Sequence, residues 1–169
     1  HQAEFKQLNP QGFVPVLETE QGLLTQSPAI LEWLEENYPE PALLPKDSWQ
    51  KAQVRALAAI VGCDIHPINN KRILEYLRQD LKLAEPEVMA WCATWISQGF
   101  AALEARLSAD QTRQNFCFGK MVTLADVYLI PQVYSALRFN VDLSPYPTIV
   151  SIYEHSMQIP AFQQADPAQ

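Results

Sequence analysis

Between residues 8 and 45 the apolar positions fall in short runs separated by turn formers, and the pattern changes to helical spacing beyond them. "FVPVLET" and "GLLTQ" are too short for helices and flank Glu20-Gln21-Gly22, which predicts two strands joined by a hairpin turn. In "TQSPAILEWLEENYP", Ser27 before Pro28 reads as a helix N-cap followed by proline at the first helical position. Pro39, Pro41 and Pro45 then stop that helix and make a stiff linker. Past the linker, Val54, Leu57, Ala58 and Val61 recur at helical spacing, and Ile68, Leu74, Leu77 and Leu81 follow beyond Pro67. Pro67 has no N–H and its ring crowds the carbonyl of Cys63, so this long helix should bend there. A further helix opens at Pro86 and runs through Trp91, Trp95 and Leu103. Thr123 and Asp126 form a variant capping box before an apolar helix, and "PTIVSIYEHSMQ" predicts a last helix ahead of a polar tail.

A lone two-stranded hairpin leaves bare edges and half a core, so a preceding strand, helix and strand are expected upstream to complete a small mixed sheet. The fold class is therefore α+β and mostly helical, with residues 1–45 as the remainder of one domain and residues 46–169 as an all-helical second domain. The 169 residues, 48% of them apolar, are enough to bury a core. No apolar run is long enough to span a bilayer and the opening residues are polar, so neither a membrane anchor nor a leader is expected and the location should be cytoplasmic. The net charge of −7, with no basic cluster to offset it, argues against a nucleic-acid partner. Cys63, Cys92 and Cys117 are odd in number and widely spaced, which suits reduced thiols.

Three places carry candidate chemistry. The first is the start of the helix after Gln26: amides and the positive end of the helix dipole there suit a carboxylate, although on these residues alone a cap without a ligand is the better reading of Ser27-Pro28. The second is "CDIHPINNKR". On a regular helix His66 and Asn70 would share one face, and Asp64 and Arg72 another. These residues either contact a ligand or satisfy the carbonyls that Pro67 frees. Cys63 and His66 supply only two potential metal ligands, too few for a site, so no metal is expected. The third is Arg138, at the end of an apolar helix, where it either balances the negative helix end or grips a carboxylate.

"NPQGFVPVL", "TQSPAILEWLEENYPEPALLP", "CDIHPINNKRILEYL", "TLADVYLIPQV" and "ALRFNVDLSPYPTI" resemble the zeta class of glutathione transferases, the maleylacetoacetate and maleylpyruvate isomerases, over almost the whole chain. The resemblance implies the C-terminal part of a thioredoxin-like domain followed by the all-α transferase domain, glutathione as cofactor, a homodimer and a small dicarboxylate substrate. It further implies a cis peptide at Val14-Pro15, with Gln11, Val14, Gln26, Ser27, Asp64, His66 and Asn70 toward glutathione and Arg72 and Arg138 toward substrate. The Ser-rich catalytic motif of the class is expected upstream, within the roughly 40 residues that should complete the half-sheet. The implied activity is glutathione-dependent cis–trans isomerisation. Conjugation or dehalogenation of small electrophiles, and a non-catalytic binding module, are the alternatives. Lys120-Met121-Val122 departs from the Asp and Pro usual in the class before the capping box.

Overall fold

A computed structural model describes residues 2–167, with side chains for residues 4–167. The last two residues of the expected polar tail lie outside the described residues. Two compact units are present, one ending at Leu43 and the other beginning at Leu44.

The first unit opens with α1 (Gln2–Leu8), which the sparse apolar residues of that stretch do not announce. It is followed by β1 (Val16–Thr19), β2 (Gly22–Thr25) and α2 (Ser27–Asn37). The strands are antiparallel, with Val16 opposite Thr25 and Thr19 opposite Gly22, so the turn falls on Glu20-Gln21 as expected. Thr19 closes it: its hydroxyl donates to the Gly22 carbonyl at 2.9 Å and accepts from the Gln21 amide at 3.1 Å. Asn9, buried, shapes the loop before β1 by donating from Nδ2 to the Phe13 carbonyl at 2.7 Å and accepting the Gln11 amide on Oδ1 at 3.2 Å. Ile30 is the buried residue of α2, which packs on β2.

The second unit contains α3 (Ser48–Ala59), a π-helical segment (Ile60–Ile65), α4 (His66–Asn69), α5 (Lys71–Gln79), α6 (Glu85–Ala109), α7 (Leu124–Arg138), α8 (Pro147–Ser156) and the short α9 (Pro160–Gln164). Asp47 starts α3 by accepting the Gln50 amide at 2.9 Å. The 25-residue α6 is the central pillar, packed against α8, the π segment, α4 and α5. Its core stripe is Val88, Cys92, Ile96, Phe100, Leu103 and Leu107, spaced by three and four residues and no more than 2% exposed. Burial of each large aliphatic or aromatic side chain in such a stripe contributes about 1.5–3 kcal/mol.

Carboxylates also secure the starts of α7 and α8. Asp126, fully buried, accepts the Thr123 amide at 2.7 Å and the Thr123 hydroxyl at 2.8 Å, and the amide of Cys117 at 2.7 Å. The threonine hydroxyl thus donates to the carboxylate, and the acidic half of the expected capping box does most of the capping. At α8 the carboxylate comes from a different helix: Glu104 of α6 accepts the amides of Thr148 and Ile149, each at 3.0 Å. Among the described residues no helix is long and apolar enough to cross a membrane.

Candidate functional site

In the first unit the candidate residues gather at one end of the hairpin. Ladder pairing of Val16 with Thr25 sets Val14 near the start of α2, because each lies just beyond that pair. The Val14–Pro15 peptide is cis, as is Glu40–Pro41. Val14 is 80% exposed, and its backbone has no hydrogen-bond partner among the described residues. Gln26 donates from Nε2 to Oε1 of Gln11 at 2.6 Å, which joins two candidates that are fifteen residues apart in sequence.

The structure corrects the reading of Ser27. It is the first helical residue and not the cap: the Gln26 carbonyl accepts the first intrahelical bond, from the Ile30 amide at 3.0 Å, while no side chain caps the helix. Gln26 itself has φ 73°, ψ 115°, a left-handed backbone that a side chain rarely adopts. That turn of the chain leaves the amino end of α2 without a side-chain cap and exposed.

In the second unit the expected bend at Pro67 takes another form. The chain widens into the π segment before the proline, with the His66 amide donating to the carbonyl of Val61, five residues back. It then breaks after α4 at Asn70, whose ψ is 165°. The two-face arrangement fails for the same reasons. A π turn alters the spacing that would align Asp64 with Arg72, and the extended Asn70 ends the face it would share with His66. What emerges is a bent ribbon that exposes Cys63, Asp64, His66 and Arg72, with Asn70 half-buried. The Asn70 side chain holds a buried Oδ1 with no partner among the described residues. Arg138 is the last residue of α7 and exposed, with its guanidinium carbon 5.9 Å from the centre of the Phe139 ring.

The carbonyls loosened by the bend are met by residues that sequence reasoning passed over. Asn69 donates from Nδ2 to the Ile65 carbonyl at 3.2 Å, and the Trp91 indole donates to the Ile68 carbonyl at 3.0 Å. Two glycines admit the π segment into the bundle. A Cβ on Gly62 would stand 2.7 Å from Cε1 of Tyr128, and one on Gly99 of α6 would collide with the end of Ile65. The Trp91 ring also stacks edge to face on Trp95, with centroids 5.7 Å apart.

The cysteines are all free, and only Cys63 is exposed. Burial pushes the Cys92 thiol up to about 11 and raises Cys117 well above its ordinary value, the latter also because of the neighbouring Asp126 carboxylate. Neither buried thiol is a nucleophile at neutral pH. Among the described residues no cluster of His, Cys, Asp or Glu is suited to a metal.

Comparison with known proteins places these features in a family. Residues 1–42 match the family described as glutathione S-transferase, N-terminal domain. A maleylpyruvate isomerase from a Ralstonia species is 58% identical over 164 residues, 97% of this chain and 77% of that protein. A holo structure of a maleylpyruvate isomerase, a bacterial zeta-class glutathione transferase, is 58% identical and superposes with a TM-score of 0.96, covering 98% of this chain and 78% of that one. A maleylacetoacetate isomerase from Anaeromyxobacter dehalogenans, solved with dicarboxyethyl glutathione and citrate in its active site, is 43% identical, with a TM-score of 0.86 over 98% of this chain and 74% of that one. At such identity and coverage, with the hairpin, the exposed start of α2 and the helical bundle all in place, this chain belongs to the zeta class of the glutathione transferases, the maleylpyruvate and maleylacetoacetate isomerases.

Proposed function

We propose that this chain is a glutathione-dependent cis–trans isomerase acting on maleylpyruvate or maleylacetoacetate, in the cytoplasm and as a homodimer. The hairpin end of the first unit carries the reading. Val14 offers an unpaired backbone edge to an extended peptide, and beside it Gln11, Gln26 and the uncapped amides of α2 suit an α-carboxylate. These features fit glutathione, a short peptide with a γ-glutamyl head. The edge takes the cysteinyl backbone; Ser27 and Gln26, joined to Gln11, take the γ-glutamyl carboxylate.

The second unit carries the other candidate residues. His66 and Asn70 contact glutathione or substrate, and the partnerless Oδ1 of Asn70 is an acceptor suited to an amide or ammonium donor. Asp64, exposed on the π segment, is the group for the glutathione amine. Arg72 and Arg138 hold substrate carboxylates, since a guanidinium can make two parallel hydrogen bonds to one carboxylate where an ammonium cannot. The chemistry that bound glutathione supplies is reversible thiol addition to the cis double bond, which permits rotation about what becomes a single bond and returns the thiol unconsumed. Dicarboxyethyl glutathione in the Anaeromyxobacter relative is what thiol addition to a butenedioate would give. An arginine that holds a carboxylate end of the substrate keeps the alkene beside the thiol while negative charge shifts onto the adjacent carbonyl. No residue of this chain is assigned to thiol deprotonation.

The test is an isomerisation assay with each maleyl substrate and substoichiometric glutathione. Many turnovers with glutathione fully recovered support the proposal. Stoichiometric loss of glutathione would instead make the protein a conjugating transferase, glutathione binding without turnover would make it a binding module, and absence of glutathione binding would refute the reading.

A further inference from the structure

We propose that Trp91 is a positioning residue for the substrate site, acting through the backbone of the ribbon that carries His66, Asn70 and Arg72. The inference rests on the site reading above and adds a residue to it. The break at Asn70 ends the short α4 and leaves its last carbonyls without the amides of a following turn, and the carbonyl of Ile68 lies midway between His66 and Asn70. Its partner, the Trp91 indole, comes from α6, 23 residues away in sequence, at 3.0 Å. An indole N–H is a single donor on a rigid ring, so it fixes both the distance and the direction of the carbonyl it holds. The ring is itself set by its edge-to-face contact with Trp95, and one further turn along the same stripe Gly99 receives Ile65. The ribbon is therefore fastened to α6 at Ile65 and at Ile68, on both sides of Pro67. Between and just beyond those fastenings stand the side chains assigned to ligand.

A phenylalanine at position 91 keeps an aromatic ring while removing the donor. Trp95→Phe is the control, because it also loses an indole in the same stack but leaves the Ile68 carbonyl bonded. Malonate, a dicarboxylate without an alkene, reports binding by calorimetry independently of turnover. The expected result for Trp91→Phe is a malonate Kd and a substrate KM raised about tenfold, with kcat changed by less than about twofold. Trp95→Phe should leave both affinities within about twofold of the parent. A merely structural role for Trp91 would lower the active fraction, and so apparent kcat, while leaving Kd and KM alone. That outcome, or equal changes in the two tryptophan variants, overturns the proposal. Arg72→Ala run alongside separates the two levels of inference. Weakened malonate binding in Arg72→Ala with none in Trp91→Phe refutes the positioning role alone, and unchanged binding in Arg72→Ala refutes the site reading together with it.

Discussion

Replacing Asp126 with alanine should be among the most damaging single changes in the second unit. The carboxylate is fully buried and accepts three hydrogen bonds, from the amides of Cys117 and Thr123 and from the Thr123 hydroxyl, all between 2.7 and 2.8 Å. Cys117 is 2% exposed and Thr123 7%, so water cannot easily replace the lost acceptor. A stranded buried donor costs about 1–3 kcal/mol. Two amides fixed in place, and a hydroxyl free to rotate elsewhere, give about 3–5 kcal/mol in all. That is a large share of the roughly 5–15 kcal/mol that holds a folded domain together. Urea denaturation followed by far-ultraviolet circular dichroism measures it, with the m-value checking that the transition stays cooperative. Asp126→Asn sharpens the test, because its amide nitrogen would face donors; a loss of about 2–3 kcal/mol is expected despite the conserved shape. A loss under about 1 kcal/mol for the alanine variant, or an asparagine variant as stable as the parent, would refute the account of this network.

Four further outcomes follow from the same structure. Arg72→Ala and Arg138→Ala should each lower kcat/KM about 30-fold, or roughly 2 kcal/mol, relative to the exposed control Lys46→Ala; no greater loss than the control would remove that arginine from the site. Iodoacetamide at pH 8 should label Cys63 alone, read by intact mass, because Cys92 and Cys117 are buried and titrate high; rapid labelling of all three in the folded protein would contradict this. The sign of the linked stability follows: the folded state keeps the Cys92 proton longer than the unfolded chain, so this contribution is intact below about 9 and is lost as pH rises toward about 11, which thermal midpoints of Cys92→Ser against the parent would resolve. Glu104→Ala should cost about 1–2 kcal/mol by freeing the first amides of α8, seen as a thermal midpoint a few degrees lower, and an unchanged midpoint would deny it the capping role.

Local chemistry was what the sequence revealed well. Two short apolar runs around Glu20-Gln21-Gly22 can form little except a hairpin, and Thr123 with Asp126 three residues on marks a helix start because both partners lie within one turn. Contacts made at long range were not visible in that way. Glu104 reaches α8 across more than forty residues, and nothing in the neighbourhood of Pro147 indicates that its helix is capped from elsewhere. Ser27 was misplaced by one position because the rule that favours serine as a cap assumes ordinary backbone before it, and Gln26 instead takes φ 73°. The Gln11–Gln26 bond was legible only as two separate motifs.

The ribbon around Pro67 was the hardest part to read, and the reason is physical. Periodicity arguments convert sequence spacing into direction by assuming 3.6 residues per turn, and a π segment followed by a break invalidates that conversion just where the polar residues stand. The shape of the ribbon is set instead by its neighbours. Trp91, Trp95 and Gly99 recur every four residues on α6, beside the core stripe of Val88, Cys92, Ile96 and Phe100, so they form a second stripe along that helix. One end of this stripe supplies a donor to the Ile68 carbonyl and the other an absent Cβ to Ile65. A side chain at position 99 would push Ile65 away and a ring without a donor at position 91 would release Ile68, although neither residue touches a ligand in the proposed site. The directions of His66, Asn70 and Arg72 are therefore encoded as much in α6 as in "CDIHPINNKR" itself.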